Sequence, residues 1–210
     1  MTSALQLELG QPDRLAELGL DVETLHRAVR AGLAARAIRT DLAPRNAQGF
    51  DLVSHAVEEL RLLLVPAGWT ADFAGGQERT VSPDGLTSLI VSTGAGTVGV
   101  PDAGPPPRTA HPKGPLMRDA VTVNQGFVQE EFALGLPVPP PVEGRPLCWV
   151  LLVKVEADQV HLELSVPDGM RDGMVVSWAE RVPLPPLPVG VELEPGDAGA
   201  VLDVPVVRLP

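Results

Sequence analysis

The sequence predicts an α+β fold: an N-terminal helical pair packed on a mostly antiparallel β-sheet, with long Pro/Gly-rich connectors. Three observations predict it. Apolar residues recur at helical spacing within the first 66 residues. Beyond residue 147 they alternate, over Trp149, Leu151, Val153 and Val155, then over Val160, Leu162 and Leu164. Eleven of the 23 prolines fall between residues 101 and 147, where neither period holds. The proline excess therefore marks connectors in a folded chain. The 210 residues read as one domain. Its helical part spans 1–66. A small meander, a loop and a short helix span 67–134. A Pro-rich connector spans 135–146, and an antiparallel β part spans 147–210.

In order, residues 12–40 read as helical. Pro12 suits a first helical position, Gly19 interrupts, and Asp21 caps the longer segment. Val22, Leu25, Val29 and Leu33 share one face. A second helix is predicted from Asp51 to Leu64, with Phe50, Val53, Val57, Leu60 and Leu64 as its core stripe. Pro66 and Gly68 end it. Trp69–Phe73, Glu78–Ser82 and Leu86–Thr93 read as short strands around the turns Gly75-Gly76 and Pro83-Asp84-Gly85. A short helix is expected over Leu116–Phe132. The clearest hairpin joins Leu147–Val155 to Val160–Leu164. Further strands are expected near Met174–Val182, Val189–Leu193 and Val201–Val207, separated by Pro183, Pro185, Pro186 and Pro188.

Composition narrows the function. Sixteen basic residues face 27 acidic ones, for a net charge of −11, and no segment is basic. Nucleic-acid and anionic-membrane binding both rest on clustered Lys and Arg, so both are disfavoured. An acidic mimic of nucleic acid, blocking a basic partner, remains an alternative. The longest purely apolar run, Leu147–Val153, is far shorter than a membrane span of about 20 residues. Met1 to Asp13 lacks the pattern of a secretion signal. Cys148, the single cysteine, sits in the apolar run and reads as a small buried hydrophobe of a cytoplasmic protein.

Several motifs invite chemical readings. Gly94-Ala95-Gly96-Thr97-Val98-Gly99 spells G-x-G-x-x-G after an apolar strand. A dinucleotide site needs a helix beginning in that motif, and Pro101 and Pro105–Pro107 forbid one. His55 and Glu59 have the i,i+4 spacing of two metal ligands, but they lie off the stripe and read as a solvated pair. His161, Glu163 and Ser165 share a strand face with Lys154 and Glu156 opposite. Without a G-x-S-x-G turn they read as a polar outer face. Neither cofactor nor metal is expected. The strongest ligand-binding candidates are Arg108, His111 and Lys113 in the Pro-rich loop, followed by Asn124 and Gln125. A His, a Lys and an Arg in one loop suit an anion or a carbonyl-bearing ligand.

The Val81-Ser82-Pro83 turn with the Leu89–Ser92 strand, Pro112-Lys113-Gly114-Pro115 with Asn124-Gln125, Glu163-Leu164-Ser165, and Trp178-Ala179-Glu180-Arg181 together resemble an uncharacterised bacterial protein family of unknown function. The resemblance covers roughly residues 20–187. It implies an accessory or interaction role and no particular activity. It adds Glu180 and Arg181 as candidates for a shared surface.

The sequence thus points to a soluble, non-enzymatic binding or regulatory protein acting on a protein partner. The enzymatic alternative is a hydrolase-type site near His111 and Lys113.

Overall fold

Asp21 starts the first long helix as the cap predicts. Its carboxylate accepts the Thr24 amide at 2.7 Å, and α1 runs over Val22–Ala37. A helical turn at 14–17 precedes it and places Leu15 in the core. Helix α2 spans Ala47–Leu64 and ends in a 3-10 turn, Val65–Ala67, closed by left-handed Gly68. These elements belong to a computed structural model that describes residues 14–74, 77–100, 104–134 and 146–189. The connector at 135–145 and the expected strand over 201–207 lie outside the described residues. So does the strand near Val189–Leu193, except for Val189 itself.

Strands β1 (Thr70–Ala74), β2 (Gln77–Val81) and β3 (Thr87–Ala95) form the predicted meander. A two-residue strand β4 (Arg108–Thr109) follows, then helix α3 over Pro115–Leu134. The chain returns as β5 (Leu147–Val155), β6 (Gln159–Arg171) and β7 (Met174–Pro188). The sheet order is β1-β2-β3-β5-β6-β7, with β4 also on β3. Every pairing is antiparallel except β3 with β5. That parallel pair requires a crossover, and α3 lies within it. The architecture is α+β, with the helical pair ahead of a mostly antiparallel sheet. Among the described residues, no helix is long and apolar enough to cross a membrane.

Two expectations are corrected. Pro183, Pro185, Pro186 and Pro188 do not separate strands, because β7 runs through them. It is the last strand of the sheet order, so amides missing on its outer side cost no ladder bond. Register shifts between β6 and β7 absorb the rest. The second correction concerns the hairpin face carrying His161, Glu163 and Ser165. It is outer only at its end, where Glu156 is exposed beside His161; Glu163 and Ser165 are fully buried.

Both faces of the central strands are covered. On one side α1 and α2 set Leu25, Val29, Leu52, Ala56 and Leu60 against Leu89, Trp149, Leu151, Val153, Leu162 and Leu164. On the other, Met117 from α3 and Val98 from the loop after β3 cover Ile90, Cys148, Val150 and Leu152. This explains the unbroken apolar run of β5, since a strand buried on both faces does not alternate.

His26 ties α1 to the proline stretch of β7. Its Nε2–H donates to the Pro185 carbonyl at 2.8 Å, and the side chain is buried. Burial lowers its pKa below the ordinary 6.5, opposed by the Pro185 hydrogen bond and aided by Arg30. The unfolded chain therefore binds this proton more readily. Stability contributed by neutral His26 is present above about pH 6.5 and is lost as pH falls through that value toward the folded pKa. Urea midpoints should fall between pH 7 and 5.5 for the wild type. They should fall less for His26→Gln, which keeps a donor but cannot charge. Equal slopes for the two proteins would contradict this.

Candidate functional site

Helix α2 carries more apolar surface than the core uses. Leu52, Ala56, Leu60 and Leu64 face the sheet. The predicted core stripe holds at Val57, Leu60 and Leu64, with Val53 packed against the core, and is corrected at Phe50, which is 70 % exposed. Phe50, Leu62 and Val65, with the outer flanks of Val53 and Val57, form one wall of a groove of about 1220 Å³. Leu62 and Val65 are 65 % and 49 % exposed, so this stripe is open to a second surface.

The groove floor is the edge of β3. Within a strand, backbone amides and carbonyls point alternately to the two neighbours. The Thr87 carbonyl accepts from Ser82, and the Thr93 carbonyl accepts from Ala110. Residues 87, 89, 91 and 93 therefore direct their backbone groups away from β5. Leu89 pairs with Thr80, and β4 takes up Gly94 and Ala95. Val91 lies between them and, among the described residues, has no ladder partner on that side. Strand β2 diverges there, so Gln77 and Glu78 line the groove.

The opposite wall is Pro112–Met117, the loop into α3. It is held rigidly: the Lys113 amide donates to the Gly173 carbonyl at 2.7 Å. Gly173 has a left-handed φ of +78°, and a Cβ there would sit 3.2 Å from Pro112. Lys113 is half-buried in this wall, and burial lowers its pKa. Across the groove, Arg61 pairs with Glu78 at 2.7 Å and donates to the Arg79 carbonyl at 2.9 Å.

The sequence candidates divide. Lys113 lines the groove. Arg108 and His111 are exposed and do not line it. Asn124 is fully buried and works as a staple between α3 and the sheet. Its amide donates to the Cys148 and Pro167 carbonyls at 3.0 and 2.9 Å, and its oxygen accepts the Cys148 amide at 3.0 Å. Gln125 donates to the Asp168 carbonyl at 2.6 Å. Glu180 takes two hydrogen bonds from Arg14, at 2.6 and 2.9 Å. Arg181 turns to the other face and pairs with Glu163 at 2.7 Å.

Around Glu163 the carboxylate is fully satisfied. It accepts from Gly99 N–H at 2.8 Å, Ser165 Oγ at 2.8 Å, and Arg181 at 2.7 and 3.2 Å. Arg181 also donates to the Thr97 carbonyl at 3.1 Å. The G-x-G-x-x-G segment is thus a strap latched onto β6 and β7. Gly99 must be glycine for this: its φ is +68°, and a Cβ would meet the Leu162 carbonyl at 2.8 Å. No helix begins in the segment.

The other reactive groups are also committed. Glu59 pairs with Arg27 at 2.9 Å, and His55 Nδ1 lies 3.0 Å from the Asp51 carbonyl of its own helix. Burial pushes the Cys148 thiol up to about 12, so the folded protein offers no thiolate near neutral pH. Only the α2–β3 groove combines exposed apolar side chains, an unpaired backbone rung and a charge without a partner among the described residues.

The residues missed by sequence reasoning are Ser54, Glu58, Leu62 and Val65 of the groove wall. The run Leu62-Leu63-Leu64-Val65 was the available signal, since one helix face cannot bury four successive apolar residues. No family model, no curated protein and no solved structure matches this chain.

Proposed function

We propose that the protein is a non-enzymatic binding module whose α2–β3 groove takes an extended apolar segment of a partner protein. One observation carries the reading: among the described residues Val91 leaves a backbone rung unpaired at the floor of a groove walled by the exposed Phe50, Leu62 and Val65 of α2 and its final turn. An unpaired strand edge is a template for an incoming extended chain, and flanking apolar walls supply burial. Some 1220 Å³ also exceeds the usual range for a small ligand, roughly 300–1,000 Å³. A cytoplasmic, accessory role fits the resemblance and the deeply buried thiol.

The hydrolase alternative has less support, because His111 stands outside the groove that Lys113 lines. The mimic alternative has less as well. Glu17, Glu23, Asp51, Glu59, Asp72, Glu78, Glu156, Glu163 and Glu180 are engaged by basic partners on several elements and present no free array.

A displayed library of random nonapeptides, selected on the immobilised protein, tests the reading. Wild type should enrich extended sequences rich in Val, Ile and Leu. Ser54→Trp, which fills the groove, and Leu62→Glu, which charges its wall, should not. Both positions are exposed, so neither substitution opens the core. Identical enrichment on all three proteins, or none on the wild type, would exclude the groove.

A further inference from the structure

Two acids, Glu58 and Glu78, and two bases, Arg61 and Lys113, line the groove, but only one pair of them is joined. Arg61 and Glu78 neutralise each other. Lys113 on the opposite wall has neither a carboxylate nor a hydrogen-bond acceptor for its ammonium among the described residues. Burial lowers its pKa, and Glu58, which also lines the groove, makes no ion pair with it. The surroundings are apolar: Pro112, Pro115, Leu116 and Met117 flank it. A half-buried cation in such a place carries an uncompensated desolvation cost. The stem cannot simply swing the loop away, because the Lys113 amide is fixed to Gly173.

This arrangement is complementary to one negative group arriving with apolar company. A polyanion does not fit it. The net charge of −11 repels an extended phosphate backbone, and no second free cation lines the groove among the described residues. A single carboxylate meets far less of that repulsion, and its attraction to an ammonium strengthens in low-dielectric surroundings and offsets its desolvation.

We propose that the segment bound in this groove carries a carboxylate at a fixed position beside its apolar residues, and that Lys113 is the group that reads it. The inference rests on the peptide-binding reading above and sharpens it to an acidic-apolar segment. Val91 supplies the main-chain rung, the α2 stripe takes the apolar side chains, and Lys113 sets the register.

The enriched nonapeptides themselves are the probe. They should share an Asp, a Glu or the terminal carboxylate at one offset from their apolar residues. For a synthetic winner, replacing that Asp by Asn, or amidating that terminus, should weaken wild-type binding about tenfold, the scale of one charged hydrogen bond. The same replacement should change binding to Lys113→Met by less than about twofold if the two groups are coupled only to each other. Lys113→Arg should restore the discrimination, which guards against a loss through misfolding. Winners without an acid would overturn this inference and leave the binding reading intact. An equal loss on wild type and Lys113→Met would assign the carboxylate to another group and overturn it too. An empty selection would remove both.

Discussion

Arg181→Met should lower the unfolding free energy by about 3–5 kcal/mol, the scale for removing one partner of a buried ion pair. The reason lies in Glu163, whose side chain is fully buried while that of Arg181 is 23 % exposed. Removing Arg181 leaves a carboxylate in the interior with only the Gly99 amide and the Ser165 hydroxyl to stabilise it. It also frees the Thr97 carbonyl and loosens the strap over β6 and β7. The double variant Glu163→Met, Arg181→Met should be the more stable protein. It no longer buries a lone charge, and its main remaining loss is the unpaired Gly99 amide, at about 1–3 kcal/mol. Urea unfolding with an unchanged denaturant slope measures both. A loss below about 1 kcal/mol for Arg181→Met would show that the pair is not the latch it resembles.

That latch shows where sequence reading reaches its limit. Glu163, Ser165, His161 and Lys154 were correctly placed on one face, because a strand period of two needs no tertiary information. Which face was covered depended on the segment after β3 folding back 64 residues away in sequence, from Gly99 to Glu163. No local pattern encodes that contact. The same limit separates Glu180 from Arg181. Adjacent in sequence, they point to opposite sides of β7, so one meets Arg14 and the other Glu163. They cannot form one surface.

The elements themselves were more legible. The Asp21 cap, the Gly68 stop and the β5–β6 hairpin each follow from short-range chemistry. The parallel β3–β5 pair was not, since a crossover through α3 is a non-local choice. Nor was the groove. Phe50 was seen as apolar at the helical spacing of Val53 and Val57 and assigned with them to the core, which only those two reach. Periodicity reports that a face is apolar, not what it faces. On α2 the stripe was real, but Phe50 at its start lies beyond the sheet that covers Val57, Leu60 and Leu64. Lys113 was singled out for sharing one loop with Arg108 and His111, and of the three it is the one that lines the groove.

Gly32→Ala and Gly126→Ala should move stability in opposite directions, although both exchange glycine for the best helix former in mid-helix. The intrinsic gain is about 1 kcal/mol in each case. At Gly126 on α3 nothing lies within 4 Å of the new Cβ, so the gain should appear almost whole. At Gly32 on α1 the new Cβ would stand 2.2 Å from the Leu52 carbonyl oxygen and 3.2 Å from the Ala56 Cβ. The oxygen belongs to the α2 backbone and cannot rotate aside. The two helices must separate by on the order of 1 Å to reach an ordinary C···O contact. Such overpacking costs about 1–3 kcal/mol or more and also shifts Leu25, Val29 and Leu60 off the sheet. A carbonyl contact this close puts Gly32→Ala toward the upper end, for a net loss of about 1–3 kcal/mol. Thermal or urea unfolding of the two variants side by side decides it. Displacing α2 also displaces the stripe from Phe50 to Val65, so Gly32→Ala should weaken selected nonapeptides while Gly126→Ala leaves their affinity unchanged. A stabilised Gly32→Ala would mean that α1 and α2 do not cross as closely as their backbones require.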